Sequence, residues 1–233
     1  KDNQFTLFHD LDLSVNEGDF ISLLGANGSG KSTLLNILWG TETIDEGTLY
    51  IGTESVGTHP SFKRFKRISR VYQDLTVGTA PHLTVYENLA LALNKGKLFN
   101  LRPLGKSDEA LILKELKKLN MGLEHKVDVP VKELSGGQRQ ALSLLMALIN
   151  EPDILLLDEH TAALDPSSSK YIMKLTYEMV KERNLTAIMV THNLEDAKTN
   201  ANRIIVLDKQ KIAVDLCNHE VKEIKKEDLE KMV

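Results

Sequence analysis

The chain has 233 residues, 42% of them hydrophobic and 27% charged, which is enough apolar material for one sizeable domain. A formal net charge of −4 lacks the basic excess of a nucleic-acid binder, and a single cysteine, Cys217, excludes an internal disulfide and fits a reducing compartment. No apolar run approaches the roughly 18 residues of a bilayer span and the start carries no signal-peptide pattern, so any work on a membrane is expected to be done from its side.

In chain order, residues 19–24 read as a strand, followed by a Gly-rich turn and a helix from Lys31. Lys63, Arg64, Lys66, Arg67 and Arg70 cluster with Phe62 and Phe65. Basic and aromatic residues interleaved in this way can bind nucleic acid. With no overall basic excess, the cluster is read instead as a solvated face beside a membrane or a membrane partner, and no nucleic-acid partner is expected. Residues 84–150 are mostly helical in pattern, punctuated by Pro103, Gly105 and Pro130. The apolar stretch 89–93 is too short for a bilayer and reads as core of this helical lobe.

Residues 154–157 form a short, wholly apolar run that suits a strand buried on both faces, and 186–191 and 203–207 read the same way. Between 165 and 183 lies a helix. Asp165 can cap it, Pro166 fits its first turn, and Ile172, Leu175, Met179 and Val180 line one face. The charge-rich stretch 223–231 reads as a helical, solvated cap. Strands alternating with helices predict an α/β sheet with crossovers. The sheet core is placed at about 1–75 and 151–233, and the inserted helical lobe at about 76–150.

Three motifs carry chemistry. Gly25-Ala26-Asn27-Gly28-Ser29-Gly30-Lys31-Ser32 fits the phosphate-loop pattern G-x-x-x-x-G-K-[ST]. Glycines let successive backbone N–H groups curl toward phosphate oxygens, and the following helix adds the positive end of its dipole. Lys31 is expected at the β- and γ-phosphates and Ser32 on Mg²⁺. Asp158 and Glu159 end the apolar run at 154–157. At a strand end beside a phosphate loop, the first carboxylate can hold Mg²⁺ and the second can polarise a water. Leu134-Ser135-Gly136-Gly137-Gln138 begins a helix whose apolar face runs through Ala141, Leu144, Leu145 and Leu148, with Ser135 as its cap. That is a second anion-binding helix end in one chain. One nucleotide does not need both ends from one molecule, but two molecules head to tail would use both.

On these residues the chain resembles the nucleotide-binding domain of ABC transporters over essentially its whole length. Leu134 to Gln138 matches the family signature. Val71-Tyr72-Gln73-Asp74 resembles the Q-loop, Ala163-Leu164-Asp165 the D-loop, and Val190-Thr191-His192-Asn193 the switch histidine segment. The resemblance implies a P-loop ATPase core with a mainly parallel sheet, an antiparallel β subdomain and an inserted helical lobe. It implies ATP and Mg²⁺ as ligands, with nucleotide contacts from Gly25, Asn27, Gly28, Ser29, Gly30, Lys31, Ser32 and Thr33. Ser135, Gly136, Gly137, Gln138 and Asp165 would act across a homodimer. Ser32, Gln73 and Asp158 would hold the metal, and Glu159, His192 and Gln73 would serve hydrolysis.

The family places an aromatic residue upstream of the phosphate loop for adenine. Phe5 and Phe8 are the available substitutes here, and both are read as core residues. Where the family has proline after Glu159, this chain has His160. The run from Asp158 to Asp165, with Gly78-Thr79-Ala80-Pro81, resembles a bacterial importer subgroup. Its members pair with branched-chain-amino-acid/ribose-type permeases and an extracytoplasmic binding lipoprotein, and some are linked to aromatic amino acids. The implied location is peripheral, on the cytoplasmic face of the cell membrane. Chromosome-type relatives insert a long coiled coil between the phosphate loop and the signature. Here roughly 100 residues separate Lys31 from Leu134, with no sustained heptads.

Overall fold

The computed structural model describes residues 8–57, 64–94 and 105–233; Phe5, Phe62, Lys63 and Pro103 lie outside them. Among the described residues there are eight strands: β1 (Phe20–Leu24), β2 (Tyr50–Ile51), β3 (Glu54–Ser55), β4 (Ile68–Val71), β5 (Ile154–Asp158), β6 (Thr186–Val190), β7 (Arg203–Asp208) and β8 (Lys211–Cys217). The described helices are α1 (Lys31–Trp39), α2 (Val85–Leu93), α3 (Lys106–Lys118), α4 (Gly136–Leu148), α5 (Pro166–Glu182), α6 (Leu194–Asn200), α7 (His219–Glu223) and α8 (Lys226–Glu230).

One six-stranded sheet runs β4-β5-β6-β1-β7-β8. The first five strands are parallel, and β8 pairs antiparallel with β7 at the edge. β2 and β3 form a separate antiparallel pair. The central strands β1 and β6, mainly apolar in sequence, are buried on both faces: all five residues of each are buried, Ser22 and Thr186 included. Strand order reverses at β1, which lies between β6 and β7 although the chain visits β4 and β5 in between. Such a reversal opens a crevice beyond the carboxyl ends of the strands, where α/β sheets bind ligands. The segments after β1, β5 and β6 all emerge at that edge.

The chain between β4 and β5 carries α2, α3, two short 3₁₀ turns and α4. Ala141, Leu144, Leu145 and Leu148 of α4 are fully or almost fully buried, in one cluster with Val71, Leu155 and Leu157 of the sheet and Leu89 and Leu116 of α2 and α3. The inserted helices and the sheet therefore share one core, and α4 is the element that joins them. On α2 the expected lobe core is split: Leu89 is buried, while Leu91 stands 50% exposed.

Two surface readings are corrected. Within 223–231 the charged residues are exposed as expected and 226–230 is helical, but the stretch is not all solvated: Leu229 is buried in a cluster with Val221 of α7, just before it, and with Leu24, Ile204 and Val206. Two apolar residues in a charged sequence are enough to anchor it, and Lys198 Nζ adds a hydrogen bond to the Ile224 carbonyl at 2.5 Å. In the basic cluster Lys66 is exposed, but the three arginines and Phe65 do not form a solvated face. Arg64 is buried and donates to the Ile37 and Gly57 carbonyls, both at 2.6 Å. Arg67 binds Asp153 at 2.6 Å and the Ile51 carbonyl at 2.9 Å. Arg70 binds Asp158, and Phe65 stacks on Trp39 with ring centroids 4.3 Å apart. Three of these arginines are spent on internal acceptors.

Candidate active site

The phosphate loop leaves β1 through Gly25, whose φ of +143° and surroundings admit no side chain. A Cβ there would lie 2.3 Å from the Leu207 carbonyl oxygen. Gly28 (φ +82°) and Gly30 (φ +103°) complete the curl. The ring of Phe8 lies against Gly30, so close that a Cβ would fall 2.6 Å from it. Phe8 also packs on the cluster of Ile21, Leu34 and Leu35, as its core reading expected. Helix α1 starts at Gly30 with no side-chain cap and no acidic residue in its first turn, which leaves its first N–H groups for an anion.

Lys31 is buried. Its Nζ donates to the Gly25 carbonyl at 2.6 Å and the Ala26 carbonyl at 2.9 Å. Burial lowers its pKa below the usual lysine value, and the charge of Glu159 opposes that shift. Ser29 Oγ is buried with no hydrogen-bond partner among the described residues. A loop with an orphaned hydroxyl, open N–H groups and a desolvated cation fits the phosphates of a nucleotide.

Asp158 ends β5 in register with Val190 of β6. One residue on, Glu159 takes a left-handed φ of +45°, costly for a non-glycine residue, and its N–H donates to the Val190 carbonyl at 3.1 Å. The turn swings its carboxylate off the strand end until Oε1 stands 2.9 Å from His192 Nε2. The same two residues border a cavity of about 370 Å³ that His160, Thr191 and Asp196 also line.

His160 is buried beneath this turn, with Nε2 3.1 Å from Thr176 Oγ1. The Thr176 hydroxyl donates to the Ile172 carbonyl at 2.8 Å, so its only proton is committed and His160 must donate through Nε2–H. Burial pulls the His160 pKa down to about 4, and the ring is neutral at pH 7. It is a hydrogen-bonded wedge between the Glu159 turn and α5.

Ser135 caps α4 in a reciprocal capping box. Its Oγ accepts from the Gln138 N–H at 3.2 Å, and Gln138 Oε1 accepts from the Ser135 N–H at 3.3 Å. Gln138 also accepts from Lys126 Nζ at 3.1 Å and donates to the Met121 carbonyl at 3.1 Å, so its amide is occupied holding the helix start. A Cβ on Gly136 would meet Leu164 and Leu75 at 3.4 and 3.5 Å, and one on Gly137 would meet Ser168 Oγ at 3.1 Å. The signature thus sits against the D-loop and the residues after Gln73, with nearest neighbours that do not include its own phosphate loop. Asp165 caps α5 through the Ser167 and Ser168 N–H groups. Hydrogen bonds from Ser167 and Ser168 hold its carboxyl well below the usual range. Gln73 is exposed just past β4. Buried Asn88 pins the chain that follows, with its amide on the Ala80, Leu83 and Thr84 backbone.

The structure therefore gathers Lys31, Asp158, Glu159 and His192 at one edge of the sheet, and sets Ser135, Gly136, Gly137 and Asp165 together elsewhere. Sequence reasoning missed Arg70, which reaches Asp158. The available signal was its position: a cation inside a four-residue strand that is otherwise largely buried calls for a buried anion.

Residues 8–162 match the ABC transporter family. A tyrosine transport ATP-binding protein of Clostridioides difficile is 42% identical over 224 residues, 96% of this chain and 89% of that protein. The spermidine/putrescine import ATP-binding protein PotA of Haemophilus influenzae is 35% identical over 219 residues, 94% of this chain; the chain spans 56% of that protein's length. Among solved structures, the dimeric ATP-binding cassette MJ0796 bound to ADP and Pi aligns with a TM-score of 0.76 at 30% identity, covering 91% of this chain and 90% of that one. The chain belongs to the ABC transporter family as an ATP-binding domain, and it is an ATPase.

Proposed function

We propose that this ATPase powers an importer of a small solute such as an amino acid, through ATP-dependent head-to-tail pairing of two copies. The observation that carries the pairing is the separation of the two anion-binding helix starts. Lys31 and the N-terminus of α1 face the crevice past β1, while Ser135 and the N-terminus of α4 pack with Leu164 and Ser168. Each nucleotide is held by the phosphate loop of one copy and by Ser135, Gly136, Gly137 and Asp165 of the other. Dimeric packing of the similar cassette supports this reading.

Within each site, Gly25 to Thr33 cradle the phosphates and Lys31 supplies the fixed cation. Glu159 orients and deprotonates the attacking water. His192, held by Glu159, contacts the γ-phosphate and stabilises the charge that develops there. Among the described residues no three His, Cys, Asp or Glu side chains cluster tightly enough to hold an ion alone. One carboxylate with one hydroxyl fits Mg²⁺, which keeps several waters and takes phosphate oxygens as ligands. Ser32, Asp158 and Gln73 would hold it, and it would supply charge neutralisation for the phosphates.

No described helix is long and apolar enough to cross a membrane. The chain is assigned to the cytoplasmic face of the cell membrane, bound to permease subunits of the branched-chain-amino-acid/ribose type that an extracytoplasmic binding protein serves. The similarity to a spermidine/putrescine import protein supports import, and that to a tyrosine transport protein supports an amino acid as the solute. Uptake of labelled amino acids, aromatic ones first, tests direction and substrate. Cells lacking this chain should lose uptake of one of them, and Glu159→Gln should not restore it. Unchanged uptake with loss of an efflux activity would make it an exporter.

A further inference from the structure

Arg70 joins three parts of the site that the sequence leaves separate. It lies on β4 opposite Leu156 of β5. Its Nη2 donates to Asp158 Oδ2 at 2.5 Å and its Nη1 to Asn36 Oδ1, on α1, at 2.7 Å. Its Cζ sits 4.8 Å over the Tyr72 ring, one residue before Gln73. The pair is nearly desolvated, with side-chain exposures of 7% for Arg70 and 18% for Asp158. Arg70 Nε is buried without a hydrogen-bond partner, and Asp158 is the one carboxylate within salt-bridge range of Arg70 among the described residues. The guanidinium is therefore placed by Asp158, and half of the Asp158 carboxylate is already committed to a cation.

A divalent ion approaching Asp158 meets an acceptor whose charge is largely cancelled, in a low-dielectric site where such charges count heavily. We propose that Arg70 is a positioning residue that holds Asp158 by Oδ2 and competes with the divalent cation for that carboxylate, so that the metal's grip on the nucleotide site is weak and readily reversed. This inference rests on the reading of Asp158 as a metal carboxylate. Asn36 and Tyr72 fix the geometry of the competition: one ties the guanidinium to the phosphate-loop helix, the other to the chain entering Gln73. Weak metal retention favours release of the Mg²⁺–nucleoside diphosphate after hydrolysis, the step at which a tightly held ion would stall turnover.

The test compares the affinity for the non-hydrolysable nucleotide AMP-PNP in EDTA and in saturating Mg²⁺, by calorimetry on the purified protein. The ratio of the two dissociation constants measures what the metal adds. Arg70→Gln keeps a hydrogen-bond donor beside Asp158 and removes the charge, and Arg70→Met removes both; either folded variant is expected to raise the ratio by about tenfold or more. Arg70→Lys keeps the charge and is expected to stay within about threefold of the native ratio. An unchanged or smaller ratio in the neutral variants, with a ratio near one in Asp158→Asn, overturns the role of Arg70 and leaves Asp158 on the metal. An unchanged ratio in Asp158→Asn overturns the metal reading itself, and this inference with it.

Discussion

His192 Nε2 stands 2.9 Å from Glu159 Oε1, across the gap between the ends of β5 and β6. Parallel pairing of Asp158 with Val190 sets the gap, and the left-handed turn at Glu159 closes it. A contact so dependent on backbone conformation is expected to act as a unit. His192→Ala should leave Mg-ATP affinity nearly unchanged and lower kcat by about 10²-fold or more, measured as steady-state phosphate release. Turnover within a factor of two of native would remove His192 from the chemistry.

Lys31 is buried with its ammonium on two loop carbonyls. Lys31→Ala should weaken ATP binding by about tenfold or more, since the phosphates lose a charge-assisted donor that no neighbour replaces. Calorimetry with Mg-ATP measures the loss, and native affinity in the variant would place the phosphates elsewhere.

Gly25→Ala tests the loop's backbone. The new methyl group would lie 2.3 Å from the Leu207 carbonyl oxygen at a φ of +143°. A shift of β7 or of the loop must follow, costing roughly 1–3 kcal/mol. Urea unfolding should show a lowered midpoint, and ATP affinity should fall with it. A variant of native stability and affinity would mean the loop is not packed as described.

His160 gives a pH signature. Its pKa is about 4 in the fold and about 6.5 when unfolded. Above pH 6.5 the ring is neutral in both states and contributes no pH dependence. Between pH 6.5 and 4 the unfolded chain binds the proton and the folded chain does not, so stability falls as pH falls. From pH 7.5 to 5 this amounts to about 2 kcal/mol. His160→Asn keeps a donor for Thr176 and cannot titrate, so urea midpoints for the variant should decline less across that range. An identical decline would show that His160 is not buried neutral.

What the sequence made legible was what rests on runs and local chemistry. The five-residue strands beside the site are predominantly apolar stretches, and the expected boundaries agree with them to within one residue. Ser135 and Asp165 cap the helices they were expected to cap, because a cap is settled by residues two or three positions away. The contacts that went unread join residues distant in the chain. Arg70 and Asp158 are 88 residues apart; the place of Arg70 in a largely buried strand says that it needs an anion, but nothing local says which one. His160 is similar: its partner Thr176 lies one helix away, and its burial follows from the packing of α5 under the turn. Val221 and Leu229 were hidden by the charges around them, although each is buried in the fold.

The proposed sharing of each nucleotide between two copies is tested most directly by the mass of Glu159→Gln in solution with and without Mg-ATP. Light scattering after size exclusion should give a monomer of 26.1 kDa without nucleotide and a species of twice that mass with it. The substitution keeps the shape of the side chain but removes the base, so bound ATP persists. Adding Ser135→Arg should return the protein to a monomer while calorimetry still registers ATP, because the clash lies on the partner's side of the nucleotide. If Glu159→Gln binds Mg-ATP at full occupancy and remains at 26.1 kDa, two copies of this chain do not by themselves share the nucleotide, and the head-to-tail reading is contradicted.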